Sequence, residues 1–281
     1  MKLTTQVNID TPSRKFSLTD KIILLGSCFA DNMAAKLSDA GFNVCSNPFG
    51  TLYNPESIRN AIRRLDSGTP FRAEDCVPMG AGAGLICSYE HHTSFARASE
   101  EEFLANANGR LLDACKFWEQ ADRVIITLGT SFVWYAGGNA VSNCLKRPAS
   151  EFTRFMLPPG RTAMIVQEII DGHPDKDFTL TVSPIRHLGN GAHQNSLSKA
   201  ALLLAADSCK GCYYFPAFEI MNDELRDYRF YAEDLVHPSA TAVQYIWERF
   251  LDTCTEASEL ELIRSNEKAA RQKAHRPLLA R

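Results

Sequence analysis

Residues 21–30 read KIILLGSCFA, and this stretch decides the fold. Four consecutive apolar residues suit a strand that is covered on both faces, and Gly26-Ser27 ends the run just before a segment with helical spacing. The pattern predicts a strand, a tight turn and a helix. Because such a turn lies at the carboxyl end of a parallel strand, where open α/β sheets bind ligands, Ser27 is the candidate nucleophile.

The composition is that of an ordinary globular protein. Of the 281 residues 45% are hydrophobic and 22% charged, and the formal net charge of -3 lacks the basic excess of nucleic-acid-binding proteins. The first residues have no apolar run of a secretory signal, and no later stretch approaches the roughly 18 apolar residues that span a bilayer. Nine cysteines favour reduced thiols over a disulfide framework. We therefore expect a cytoplasmic protein with no nucleic-acid partner and no membrane span.

Short apolar runs alternate with helical patterns along the rest of the chain. Further strands are predicted at residues 42–45, 123–128, 178–182 and 213–218. Helices are predicted from just after Ser27 to about Ala40 and at 56–66, 100–118, 161–171 and 194–208. In the helix over 194–208, the residues expected to face inward are Leu197, Ala201, Leu204 and Ala205. Strands that alternate with helices predict an α/β fold with a parallel sheet.

One α/β domain is predicted over residues 1–255. It carries inserted loops at 69–99 and 132–160. The adjacent histidines of the first loop, His91 and His92, are expected to be exposed, and contact with substrate from an inserted hairpin is the alternative. Residues 256–281 form a basic helical tail that is either solvated or a contact within a homo-oligomer.

A local carboxylate–imidazole pair is predicted near the end of the domain. Asp234 and His237 lie three residues apart in a loop, and Pro238 favours an extended conformation at His237. The carboxylate can accept a hydrogen bond from Nδ1, which leaves Nε2 to take a proton from a serine. Ser27, His237 and Asp234 can thus fill the three roles of a catalytic triad.

Other interpretations of these residues remain open. Ser27 can simply cap the first helix. We expect Cys28 to pack in the interior, because its side chain should point away from that of Ser27. Cys209 and Cys212 have the spacing of a redox pair but join a helix end to a strand start, so a thiol or metal protein is a third hypothesis.

Five short motifs together resemble the GSCFA-domain family, a bacterial group that in turn resembles the SGNH or GDSL-like esterases. The motifs are GSCFA at 26–30, NPFGTLYNP at 47–55, LGTS at 128–131, SP at 183–184 and DLVH at 234–237. The resemblance implies a three-layer α/β/α sandwich with a five-stranded parallel sheet, a flavodoxin-like arrangement. It also implies Ser27 as nucleophile, with Asp234 and His237 as acid and base.

The resemblance further implies an oxyanion hole that contains the backbone N–H groups of Ser27 and Gly50. Where those esterases commonly have Gly-x-Asn-Asp, this chain has Gly129-Thr130-Ser131-Phe132, so the usual asparagine donor is missing. Ser131 can replace it, as can Asn47 or Asn54, and losing one such donor costs roughly 3–4 kcal/mol of transition-state stabilisation. The predicted substrate contacts are Asn47, Tyr53, Asn54, Gly129, Arg186 and His187.

The leading hypothesis is a metal-independent serine esterase or acyltransferase without a cofactor. Its substrate would be a small-molecule or carbohydrate O-acyl ester, an expectation that rests on family analogy alone. The alternative is a non-catalytic protein that holds a glycan, a metabolite or a partner in the same pocket. The missing asparagine motivates this alternative.

Overall fold

A computed structural model describes residues 4–274 and has a five-stranded parallel sheet at its centre. With the strands numbered along the whole chain, the sheet contains β1 (Lys21–Gly26), β2 (Asn43–Ser46), β5 (Arg123–Leu128), β9 (Asp177–Val182) and β10 (Cys212–Tyr214). The strand order is β10-β9-β5-β1-β2, and all four pairings are parallel. This order reverses direction between β1 and β5, as in flavodoxin-like sheets. The predicted parallel sheet is confirmed.

Helices cover both faces of this sheet. They are α1 (Cys28–Ala40), α2 (Pro55–Ser67), α3 (Glu100–Gln120), α4 (Pro159–Asp171), α5 (Ala192–Ser208), α6 (Ala217–Glu219), α7 (Ala240–Cys254) and α8 (Leu260–Ala274). Side chains alternate across β1, so Ile23 and Leu25 pack with helices α2 to α5, whereas Ile22 and Leu24 pack with α1, α7 and α8. The two apolar clusters make the predicted three-layer sandwich.

The fifth strand is shorter than predicted. The chain leaves the sheet after Tyr214, and residues predicted as strand up to 218 instead enter α6. Pro216 explains the change, because proline has no N–H to donate to a neighbouring strand.

Both inserted loops form small antiparallel sheets. In residues 69–99, β3 (Val77–Pro78) pairs with β4 (Ile86–Cys87). In residues 132–160, β6 (Phe132–Ala136) lies between β7 (Asn139–Val141) and β8 (Thr153–Met156).

The inward face of helix α5 was predicted only in part. Ala201 and Ala205 are buried as predicted. Leu197 and Leu204, also expected to face inward, are 39% and 58% exposed, whereas Ser198 and Lys199 are buried. Lys199 Nζ donates to the carbonyl oxygens of Gly129 and Ser183, each at 2.7 Å, directly beyond β5 and β9. These hydrogen bonds satisfy strand-end carbonyls and so favour burial of the polar face of the helix.

His91 is not exposed, contrary to expectation. Its ring is fully buried, lies against the rings of Phe49, Phe71, Phe95 and Phe103, and places Nδ1 2.7 Å from Ser88 Oγ. Burial lowers the pKa of His91 to about 3, so the ring is neutral near pH 7. His91 is therefore a core residue under the loop that follows β2.

Helix α8, the described part of the predicted tail, packs against α1. Ile263 is fully buried, and Asn266 Nδ2 donates to the Ala40 carbonyl oxygen at 2.9 Å. The remainder of that tail, residues 275–281, lies outside the described residues. Across residues 4–274, none of the helices combines the length and the apolarity needed to cross a membrane.

Candidate active site

A pocket of about 390 Å³ lies at the carboxyl ends of the parallel strands. Residues that follow β1, β2, β5 and β9 meet there, together with a loop before α7 and part of the second insert. The pocket is lined by Cys28, Tyr53, Asn54, Thr130, Phe132, Trp134, Ser142, Asn143, Cys144, Ile185, His187, Val236 and His237. This is where doubly wound sheets bind ligands.

Asp234 and His237 make the contact expected from their spacing. His237 Nδ1 lies 2.6 Å from Asp234 Oδ2, while Asp234 Oδ1 accepts the backbone N–H groups of Val236 and His237 at 2.8 and 3.0 Å. These three hydrogen bonds lower the pKa of Asp234 to about 2, and the two from backbone N–H groups contribute most. The carboxylate is thus ionised near neutral pH and holds the imidazole in one orientation.

Arg186 holds the loop that carries this pair. Its backbone N–H donates to the Val236 carbonyl oxygen, and its Nη1 donates to the Leu235 carbonyl oxygen, each at 3.0 Å. Its guanidinium lies over the rings of Tyr228 and Tyr231. Arg186, predicted to contact substrate, is therefore placed to position His237 and does not line the pocket.

Ser27 is buried within the turn between β1 and α1. It is the N-cap of α1 and fully buried, and its Oγ accepts the Phe29 N–H at 3.4 Å and donates to Ser183 Oγ at 3.0 Å. Its own N–H donates to the Thr127 carbonyl oxygen at 3.2 Å. The structure does not bring Ser27 into hydrogen-bond contact with His237 or onto the pocket wall.

Cys28 lines the pocket instead of packing in the interior. It is the first residue of α1 and half-buried; burial raises the pKa of its thiol, and the backbone N–H groups of Cys28 and Phe29 oppose that rise. An N-cap side chain turns back toward the helix N–H groups, so the next side chain is directed elsewhere. The side chains of Ser27 and Cys28 do point apart, but it is the thiol that reaches the pocket.

Two buried basic side chains, Lys199 and His187, influence the electrostatics near Cys28 and His237. Burial lowers the pKa of Lys199 to about 7, an effect opposed by attraction to the Cys28 sulfur. Burial, with the positive charges of Lys199 and His237, lowers the pKa of His187 to about 4. The His187 imidazole is therefore neutral near pH 7, and its buried Nε2 has no hydrogen-bond partner within the described chain.

Three of the residues predicted to stabilise an oxyanion are engaged elsewhere. The Gly50 N–H donates to the Asn47 carbonyl oxygen at 2.7 Å. Asn47 Nδ2 donates to Asp31 Oδ1, and its Oδ1 accepts the Gly26 N–H. Ser131 is fully buried and donates to Ser198 Oγ at 3.2 Å. None of the three lines the pocket.

Asn54 is the predicted amide that does line the pocket. Its Oδ1 accepts the Ser57 N–H at 2.9 Å and so caps α2. Its Nδ2 has no acceptor among residues 4–274. An amide whose oxygen is fixed in this way has a defined orientation and two N–H groups to offer a ligand.

Tyr53 and Gly129 bring the loop after β2 onto the end of β5. The Tyr53 carbonyl oxygen accepts the N–H groups of Gly129 and Thr130 at 2.9 and 2.8 Å, and the Tyr53 ring packs edge-on against His187. A Cβ at Gly129 would lie 3.0 Å from that oxygen and 3.4 Å from His187 Nε2. Glycine therefore permits the close approach that closes this side of the pocket.

Several pocket residues were missed by the sequence analysis. Because serine is a preferred N-cap residue, the sequence could have indicated that Ser27 caps α1 and that the Cys28 side chain points toward the pocket. Lys199 lies outside the pocket lining, and its local sequence pattern does not distinguish it from a surface lysine. Thr130 and Asn143 reach the pocket from the end of β5 and from the second insert, whose folding could not be predicted.

The thiols of Cys209 and Cys212, the residues with the spacing of a redox pair, are not activated for redox chemistry. Cys209 is buried with its Sγ 3.2 Å from the Ala205 carbonyl oxygen, and burial raises the pKa of both Cys209 and Cys212. A search of residues 4–274 for three or more His, Cys, Asp or Glu side chains that could hold a metal ion found no such group.

Comparison with solved structures gives distant similarities. A structure from Streptococcus pneumonia, described as a "putative platelet activating factor", is 11% identical, with 83% of each chain covered and a TM-score of 0.41. A carbohydrate esterase family 2 enzyme with a carbohydrate-binding domain, from Corynascus thermopiles (Myceliophthora fergusii), is 13% identical over 95% of this chain and 69% of that one, with a TM-score of 0.34. Both scores are too low to support an argument about function.

Comparison with protein families is decisive. A search of curated proteins found no significant match. The model of the GSCFA family, in contrast, matches residues 21–250, which include the whole parallel sheet and every residue that lines the pocket. The chain belongs to the GSCFA family.

Proposed function

We propose that this protein is an ester hydrolase or acyltransferase that acts in the pocket at the end of the sheet. The observation that carries the proposal is the Asp234–His237 pair, whose 2.6 Å contact fixes an imidazole on the pocket wall. With Nδ1 bound to the carboxylate, Nε2 is the atom that accepts a proton from a nucleophile and returns it to the leaving alcohol. The turn at residues 26–28 supplies the nucleophile, which the sequence predicts to be Ser27.

Asn54 supports the same proposal by supplying a donor for the oxyanion. The tetrahedral intermediate of acyl transfer carries a negative oxygen that needs preorganised N–H groups. Asn54 Nδ2 can take the place of the asparagine missing from residues 129–132, since Oδ1 is anchored to α2.

The remaining pocket wall favours a small ester with a polar, sugar-like portion. Phe132 and Trp134 offer flat apolar faces, while Thr130, Ser142 and Asn143 supply hydroxyl and amide groups beside them. Aromatic faces next to polar side chains suit an acylated carbohydrate, and a volume of about 390 Å³ matches a compact ligand.

A binding protein without catalysis is the second candidate. The buried Ser27 hydroxyl, bonded to Ser183 and not to His237, is the observation that favours it. The pocket would then hold a glycan, a metabolite or a partner.

Ester turnover by matched variants separates the two candidates. The purified protein is assayed with short-chain nitrophenyl esters and O-acetylated sugars, beside His237→Gln and Asp234→Asn. We expect both variants to lose kcat by about 100-fold or more, since a positioned base contributes roughly 10²–10⁴-fold. Controls are His193→Gln and Asp252→Asn, which replace exposed residues outside the pocket wall and should change kcat less than about 2-fold. Turnover by none of the folded proteins would support the binding protein, whereas turnover that His237→Gln retains in full would show that His237 is not the base.

A further inference from the structure

We infer that the nucleophile is the Cys28 thiol and not the Ser27 hydroxyl, an assignment that rests on the proposed function. The two residues are neighbours at the start of α1, but only Cys28 shares the pocket wall with His187 and His237.

The surroundings of Ser27 leave its hydroxyl no route to an ester. Its side chain is fully buried, and its Oγ donates to Ser183 and accepts the Phe29 N–H. Its backbone N–H is also bound, to the Thr127 carbonyl oxygen. To attack a substrate, Ser27 would have to give up both its cap and its contact with Ser183. We assign it the role of fixing the turn.

The surroundings of Cys28 suit a nucleophilic sulfur. Cys28 is the first residue of a 13-residue helix, whose first turn favours negative charge at Sγ, and the backbone N–H groups of Cys28 and Phe29 oppose the rise in the thiol pKa that burial causes. Lys199 adds an attraction from the buried side. Burial nevertheless raises the pKa of Cys28, so the thiol keeps its proton near pH 7 until a base removes it. His237 lines the same pocket, and we assign it that task.

The reaction then balances without a redox partner. His237 Nε2 takes the thiol proton while Sγ attacks the carbonyl carbon of the ester, and Asn54 Nδ2 donates to the oxyanion. The C–O bond breaks, His237 returns the proton to the departing alcohol, and the acyl group remains on Cys28 as a thioester. Water or a second alcohol, deprotonated by His237, then attacks the thioester. The C–S bond breaks and the sulfur regains a proton.

Acyl trapping on single-residue variants tests the assignment. The wild-type protein is mixed with a substoichiometric nitrophenyl ester, quenched in acid, and mapped by mass spectrometry with and without neutral hydroxylamine, which cleaves thioesters but spares oxygen esters. We expect the acyl mass on Cys28, released by hydroxylamine. Cys28→Ala should lose turnover by about 100-fold or more, whereas Ser27→Gly, since glycine is tolerated at an N-cap, should keep it within about 10-fold. An acyl group on Ser27, or turnover that survives Cys28→Ala, would overturn the assignment.

Alkylation separates failure of this assignment from failure of the proposed function. The rate of iodoacetamide modification is measured against pH at Cys28, with the half-buried Cys76 and Cys115 as internal references. We expect Cys28 to react faster near pH 7 and to lose that advantage in His237→Gln. If no ester is turned over but Cys28 still reacts faster than the references and loses this advantage in His237→Gln, Cys28 is the activated thiol and the proposed ester reaction is wrong. If esters are turned over but Cys28 reacts no faster than the references and carries no acyl group, the thiol assignment alone falls.

Discussion

At the scale of single residues, Asn54 serves the fold with one atom and the proposed reaction with another. Its Oδ1 caps α2 through the Ser57 N–H, while Nδ2 stays available at the pocket. The two roles can be separated by substitution, because aspartate keeps a capping oxygen but has no amide to donate.

We predict that Asn54→Asp lowers kcat/KM for an ester by at least about 100-fold, since one oxyanion donor is worth 10²–10³ in rate. The melting temperature should stay close to that of the wild type. Asn54→Ala should lose both the activity and roughly 1 kcal/mol of stability, because the cap is removed too. Esterase kinetics and thermal denaturation of the three proteins check this, and full activity of Asn54→Asp would remove Asn54 from the oxyanion hole.

The Asp234–His237 pair could be predicted from residue spacing, whereas the choice between Ser27 and Cys28 could not. Two residues three positions apart lie in one loop, so the spacing could predict their 2.6 Å contact. Which of two adjacent side chains reaches a ligand depends on the rotation of α1 against the sheet. Ser183, which receives the Ser27 hydrogen bond, lies 156 residues further along the chain.

At the scale of elements, the turn from β1 into α1 depends on Gly26. Its φ is +144°, a conformation that other residues rarely adopt, and a Cβ there would lie 2.2 Å from the Thr127 carbonyl oxygen. That oxygen also accepts the Ser27 N–H. A side chain at this position would separate β1 from β5 where the pocket begins.

We predict that Gly26→Ala lowers the free energy of unfolding by about 3 kcal/mol or more, because a strained backbone and a clash add together. Gly109→Ala is the matched control. Gly109 lies within α3 with open space around its Cα, so the same substitution should stabilise the protein by about 0.5–1 kcal/mol. Urea denaturation measures both changes, and a loss below about 1 kcal/mol for Gly26→Ala would contradict the proposed strain.

The orientation of α5 shows where element-level prediction fails. Apolar spacing predicted Leu197 and Leu204 inside, but both are exposed and Lys199 is buried. The helix is set by its partners, since the Lys199 ammonium binds the carbonyl oxygens of two strand ends. No local pattern reports such a partner.

At the scale of the whole molecule, α8 completes the layer that contains α1 and α7. Ile263 is fully buried in this cluster, whereas the adjacent Leu262 is 55% exposed. The helix is also tied by hydrogen bonds from Trp247 Nε1 to Glu267 at 2.6 Å and from Asn266 to Ala40.

We predict that Ile263→Ala lowers the free energy of unfolding by about 2–5 kcal/mol, the usual result of a cavity in a packed core. Leu262→Ala, which removes an exposed side chain, should cost less than about 0.5 kcal/mol. Denaturation midpoints of the two variants provide the comparison. Equal, small effects would show that α8 does not contribute to the stability of the domain.

The sequence by itself determined the α/β class, the five-stranded parallel sheet and the Asp234–His237 contact. Each depends on short-range patterns: apolar runs as long as a strand, helical spacing, and a loop only a few residues long. Tertiary structure alone decided that Cys28 reaches the pocket and that, of the predicted amides, Asn54 lines it and Asn47 does not. It also decided that Ser27, Gly50 and Ser131 are engaged elsewhere. The physical reason is that a side chain's access to a ligand depends on partners far away in sequence, which take up some polar atoms and leave others free.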